Sequence, residues 1–175
     1  MVKNTIKSTV LVWWFVRRFI MFVKLIYSCI MEKKRFTITI NATPERVWFL
    51  LWDDATYPEW TSPFSPGSRA VSDWKKGSEI LFMGSDSEGM LSVIADRVDN
   101  QFMSFKHLGM VIDGQKNIDD EKYKAWAGAM ENYTLQDADG KTLLTIDIDI
   151  TTEHLDYFQS TWPQALAKLK EMAEQ

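Results

Sequence analysis

From Phe36 the chain alternates: Phe36, Ile38 and Ile40 are separated by Thr37 and Thr39, the period of two that marks a strand with one buried face. The period then lengthens. Thr43-Pro44-Glu45 supplies an N-cap, a proline at the first helical position and an acid in the first turn, and Val47, Trp48, Leu51 and Trp52 follow on one side of the helix it opens. Asp53 to Trp60, with Pro58 inside it, predicts a turn and a short second helix. Pro63, Pro66 and Gly67 mark a loop. Strand-period runs come next: Arg69 to Trp74, Glu79 to Met83, Met90 to Val98 and Phe102 to Val111. They are joined by Lys75-Lys76-Gly77, the polar run Gly84 to Gly89, and Asp99-Asn100-Gln101, and turns this short make neighbouring strands antiparallel. Tyr123 to Gln136 and Thr142 to Ile150, around the turn Asp137 to Gly140, complete an antiparallel sheet of about seven strands. In the last strand Leu144, Ile146, Ile148 and Ile150 oppose Thr145, Asp147 and Asp149, so only one face is buried.

The chain closes on a long amphipathic run. Leu155, Phe158, Trp162, Leu166, Leu169 and Met172 or Ala173 recur at three- and four-residue steps, which places them on one stripe of a helix over Leu155 to Ala173. Glu153 and Asp156 fall at its start and Lys168 and Lys170 near its end, the order that complements a helix dipole. Pro163 lies inside it, where it removes a backbone donor and crowds the carbonyl of Gln159; a kink is expected there, not a stop. Such a stripe needs a concave partner, and the strands supply one.

With 175 residues, 46% hydrophobic and 25% charged, the chain suits one domain with its own core. Eight Trp and ten Phe fit either a bulky core or a cavity lined with flat apolar faces. Charge is unevenly spread. Residues 1–30 hold Lys3, Lys7, Arg17, Arg18 and Lys24 and no acid, hence +5, while the 15 basic and 24 acidic residues after them give −9. A body that acidic has no footprint for nucleic acid. The single cysteine, Cys29, precedes it, so the body forms no internal disulfide, which fits a reducing, cytoplasmic location.

Residues 1–30 therefore form an apolar, basic extension ahead of a domain over 31–175. Val10 to Ile30 is strongly apolar, but Arg17, Arg18 and Lys24 leave no uninterrupted run long enough to span a bilayer. Two readings stand. Met31-Glu32-Lys33-Lys34 looks like a natural start, which would make the extension an over-called one; alternatively it is membrane-associated, as an imperfect anchor or a basic surface helix. A cleaved signal is disfavoured by Lys24 and by the missing small-x-small site, and Tyr27 is atypical of a lipoprotein box at Ile26 to Cys29. Membrane contact is expected only if the segment is native.

The order of elements, strand, two short helices, six antiparallel strands and a long closing helix, is that of the α+β helix-grip fold, a curved sheet wrapped around a C-terminal helix. The sequence resembles the START-like (SRPBCC) superfamily of the birch-pollen allergen and the polyketide cyclases, and within it the branch of heat-shock-protein-90 ATPase activator homologues. The resemblance is carried by Ile40-Asn41-Ala42-Thr43-Pro44-Glu45-Arg46-Val47-Trp48, by Trp126 to Leu135, and by Thr161-Trp162-Pro163 with Ala165, Leu166 and Leu169. It covers 31–175 and implies a cavity between the sheet and the long helix. It leaves function open: a module that binds an apolar small molecule or lipid, a cyclase- or hydrolase-type enzyme, or an interaction protein with a chaperone partner. No cofactor is implied.

Strand alternation indicates what faces that cavity. A loop centred in Ile112 to Lys122, expected to be solvated and to lie at the cavity mouth, would pair Met103 with Leu135, Phe105 with Tyr133, and His107 with Glu131, with Gly109 and Ala129 leaving space beyond. His107 and Glu131 are the candidate catalytic residues: a carboxylate beside an imidazole in an apolar pocket can transfer protons, hold a ligand's polar end, or form a satisfied pair at the rim. Trp52, Trp60, Phe82, Met90, Trp126 and Trp162 are candidate cavity or core side chains. Phe158 and Trp162 are placed to touch a ligand, and Leu166, Leu169 and Met172 to seal core. His154 is expected to be exposed at the helix start. Two His, a remote Cys and an acidic run without calcium-loop spacing give metal binding no support, and no phosphate-cradling loop or nucleophile turn occurs. Asn41-Ala42-Thr43 and Asn132-Tyr133-Thr134 match glycosylation sequons but are better explained as cap and strand residues.

Overall fold

The computed structural model describes residues 31–85 and 88–175; the expectations for residues 1–30, Cys29 among them, lie outside this range. Alternating Phe36, Ile38 and Ile40 form β1 (Met31–Ile40), and the Thr43 cap, whose hydroxyl accepts from the Arg46 amide at 3.5 Å, opens α1 (Pro44–Trp52). A short α2 (Tyr57–Trp60) follows. Then come β2 (Arg69–Val71), β3 (Glu79–Met83), β4 (Gly89–Val98) and β5 (Phe102–Ile112). Strand β6 (Gln115–Asn117) and helix α3 (Glu121–Lys124) precede β7 (Met130–Ala138) and β8 (Lys141–Thr151), and α4 (Leu155–Ala173) closes the chain after a single 3-10 turn.

All pairs are antiparallel, in the order β1-β8-β7-β5-β4-β3-β2, with β6 on the free end of β5. This is the helix-grip fold. The inner face presents Ile40, Ile80, Ile94, Met103, Phe105, Tyr133, Leu144, Ile146 and Ile148 to α1, α2 and α4, and together these make the core. Helix α4 buries Trp162, Ala165, Leu166, Leu169 and Ala173, with Phe158 and Met172 half-buried. It runs unbroken through Pro163. Gln159 and Pro163 are both exposed, so the proline sits on the outer side of the helix, where the missing donor costs least. His154 is exposed, as expected, and pairs through Nδ1 with the Thr151 hydroxyl at 2.9 Å.

Two expectations give way here. Tyr123 to Ala129 is not strand: Tyr123 belongs to α3, and the chain turns through Gly128 at φ 92° before β7 begins. The connection Ile112 to Lys122 is not a simple loop either. Asp113-Gly114, both at positive φ, make a two-residue turn that folds β6 back onto β5. With the connection partly consumed by this hairpin, Met103 pairs with Tyr133 and Phe105 with Glu131, a displacement of two residues from the expected register. Because a strand's period is two, the displacement preserves which residues face inward.

β5 also carries a bulge. Leu91 pairs with Gly109 but Ser92 with His107, so Leu108 is an extra residue and the inward parity changes beyond it. Met110 turns into the cavity as a result. Gly109 leaves no space: a Cβ there would run into the Asn117 carbonyl. Gly109→Ala should therefore destabilise the fold by about 1–3 kcal/mol, the usual range for overpacking, in a urea titration; a loss under about 0.5 kcal/mol would show that β6 yields at no cost.

Candidate functional site

Between the inner face of the sheet and the start of α4 lies a cavity of about 410 Å³. Half of its described lining residues are aromatic. Of the sequence-predicted cavity residues, Trp60, Phe82, Met90, Glu131, Tyr133, Phe158 and Trp162 line it. Tyr57 stacks on Phe82 at 6.3 Å, and Phe64 stands edge-on to Trp162 at 4.9 Å. Ser65, Ser68, Gly84 after β3 and Tyr157 on the first turn of α4 also line the cavity. No residue of Ile112 to Lys122 does, so that connection does not border the cavity as expected. The Tyr157 hydroxyl donates to the Phe64 carbonyl at 2.9 Å and ties α4 to the segment after α2.

The other predicted residues lie outside the cavity. Phe105 is fully buried beneath it, edge-on to Phe82 at 5.1 Å. Trp52 packs edge-on against Phe105 and Tyr133 and faces a smaller hollow of about 220 Å³ that it shares with Trp48, Trp74 and Arg97. Trp126 stands in the turn after α3, edge-on to His107 at 6.4 Å. Ala129 is buried opposite His107, its carbonyl accepting the His107 amide at 2.9 Å. Missing from the sequence reading were Tyr57, Phe64, Met110 and Tyr157. Tyr57, Trp60 and Phe64 are spaced by three and four, a signal hidden by Pro58 and Pro63; nothing in the sequence announced the bulge that delivers Met110.

His107 and Glu131 do meet, though not as a direct cross-strand pair. Glu131 opposes Phe105, and its side chain reaches diagonally to His107, with Oε2 at 3.4 Å from Nε2. On its other side His107 opposes Ser92, whose hydroxyl lies 2.8 Å from Nδ1. The Tyr133 hydroxyl donates to Glu131 Oε1. In the tautomer that carries the ring proton on Nε2, facing the carboxylate, Nδ1 accepts a hydrogen bond from the Ser92 hydroxyl and each group has a partner. Ser92, His107 and Tyr133 are buried and the Glu131 side chain is 12% exposed. The row Ser92–His107–Glu131–Tyr133 thus runs from the interior of the sheet to the cavity wall.

Ser92 is not a nucleophile in this arrangement, because it is fully buried and does not line the cavity. What faces the cavity is the carboxylate end. Burial, and after it the charge of Glu131, push the Tyr57 and Tyr133 phenols well above the ordinary tyrosine range, so both remain protonated donors. Among the described residues no cluster of three His, Cys, Asp or Glu could hold a metal ion, and no helix is long and apolar enough to cross a membrane.

No family model and no curated protein sequence matches the chain. Solved structures do. The Aha1 dimer of Colwellia psychrerythraea is 18% identical with a TM-score of 0.64, over 82% of this chain and 96% of that one. CalU16 of Micromonospora echinospora is 15% identical at 0.57, over 81% and 74%. ChR145 of Cytophaga hutchinsonii is 20% identical at 0.59, over 81% and 92%. At such identities the likeness is one of fold, and it bears out the helix-grip architecture that the motifs implied.

Proposed function

We propose that the chain encloses a hydrophobic small molecule between its sheet and α4. One observation carries this reading: a cavity of about 410 Å³, half of whose described lining residues are aromatic, with three methionines beside them and Glu131 as the one carboxylate among those residues. A volume in the drug-sized range with few polar groups is the usual form of a ligand pocket. Packing alone would have closed such a space, since a void forfeits contacts along its whole lining. The test is native mass spectrometry of the full chain purified from the cells that make it. A mass excess of a few hundred daltons that disappears on denaturation is expected. An empty protein in every preparation, together with no binding of added apolar compounds, would overturn the reading.

A second reading, acid–base chemistry on the bound molecule, is supported by the row that ends at Glu131 and Tyr133. Glu131 is the group that would take a proton from a ligand, and the Tyr133 hydroxyl, which donates to Glu131, the one that would orient its carboxylate. Comparing the molecules retained by the wild type and by Glu131→Gln checks it. A different, unreacted molecule in the variant supports catalysis; the same molecule in both refutes it.

A further inference from the structure

We infer that the cavity is built for a cationic ligand: an organic amine or ammonium with an apolar body, its charge held against Glu131. This rests on the proposal that the cavity is a binding site and specifies the ligand's charge. Three features point the same way. Among the described residues Glu131 is the only carboxylate in the wall, and no described Lys or Arg lines the cavity to offset it. Half of the described lining residues are aromatic, among them Tyr57, Trp60, Phe82, Tyr133 and Trp162, and the uncharged Met and Ser/Thr side chains between them add no positive charge. Ring faces carry negative charge density, so they attract a cation and repel an anion. His107, the one basic group in contact with Glu131, lies on the far side of the carboxylate at 3.4 Å and is not part of the lining.

Position sharpens the inference. Tyr133 holds one carboxylate oxygen and His107 approaches the other, so the carboxylate plane of Glu131 is fixed between two buried neighbours. An ammonium donating to the remaining lone pairs would complete the site without displacing either. A ligand carboxylate at the same place would meet Glu131 and the ring faces with like charge, in a space where desolvation makes repulsion expensive. A neutral hydroxyl could donate to Glu131 but would leave the ring faces without a cation.

The experiment is a headgroup series on one tail: decylamine, decyltrimethylammonium, decan-1-ol and decanoate, titrated into the full chain by calorimetry with tryptophan fluorescence as the second readout. The wild type should bind decylamine at least about tenfold more tightly than decan-1-ol, given the usual strength of a hydrogen bond between an ammonium and a buried carboxylate, and decanoate most weakly. In Glu131→Gln the amine-to-alcohol ratio should fall to near one while decan-1-ol binding persists. The wild-type series decides the matter even if the variant fails to fold. Decanoate binding as tightly as decylamine, or an amine preference that survives in Glu131→Gln, overturns the inference and leaves the cavity a binding site. Failure of all four compounds to bind overturns the cavity reading itself, and the inference with it.

Discussion

Trp162→Ala should lower the unfolding free energy by about 3–5 kcal/mol, the range for removing a large buried aromatic side chain. Trp162 is 3% exposed and joins three parts of the molecule at once. Its ring stacks on Phe36 of β1 at 5.7 Å, meets Phe64 edge-on at 4.9 Å, and lies 6.5 Å from Trp60 and 6.0 Å from Tyr133. Truncation would remove the link between α4 and the sheet and enlarge a cavity that already exists beside it, so collapse cannot recover the lost contacts. Trp162→Phe should behave differently. The indole Nε1 is buried without a hydrogen-bond partner, and a donor in that state costs about 1–3 kcal/mol. Phenylalanine keeps most of the stacking surface and removes the orphan donor, so its loss should stay under about 1.5 kcal/mol. Urea titrations of both variants check the pair of values. Equal losses in the two would mean that the N–H, not the ring, governs this position.

The same residue shows where sequence reading succeeds. A stripe at three- and four-residue steps fixed α4 from Leu155 to Ala173; Trp162, Leu166 and Leu169 all join the core, and Phe158 and Trp162 also line the cavity. Periodicity works there because the helix has one buried face and nothing competes with it. β3 and β8 were legible for the same reason. The stretch from Ile112 to Ala129 was not, because its polar residues suit a loop, a hairpin or a short helix equally, and only tertiary packing of β6 against Gly109 selects among them.

The polar row of the site was half legible. Alternation put His107 and Glu131 on one face, and that survives a register error of two residues, since an even slip keeps parity. Ser92 could not be anticipated. Its contact with His107 depends on the bulge at Ala95, between Ile94 and Asp96, which resets β4 against β5 after their hairpin, and a bulge at a non-glycine residue leaves no composition signal. Tyr133 was expected as an apolar wall residue, yet its hydroxyl holds the carboxylate.

Alkaline pH should destabilise the protein through Tyr57 and Tyr133. Each phenol is buried, 8% and 3% exposed, and each is pushed well above the ordinary tyrosine value by burial first and by the charge of Glu131 second. Below about pH 10 both are protonated in the folded and unfolded chains alike, so they add no pH dependence. Above it the unfolded chain releases two protons that the folded chain retains, and stability falls by about 1.4 kcal/mol per pH unit for each group until the folded phenol ionises. By pH 12 the two together remove up to about 5 kcal/mol. The clean measurement is a difference: urea titrations from pH 9 to 12 on the wild type and on the double variant Tyr57→Phe, Tyr133→Phe, which cancels the contribution of every other titrating side chain. The variant should be the less stable at pH 9, where Glu131 lacks the Tyr133 hydroxyl, and should gain on the wild type steadily above pH 10. A constant difference across that range would mean that both hydroxyls reach water in the folded protein, and that the cavity wall beside Glu131 is wet.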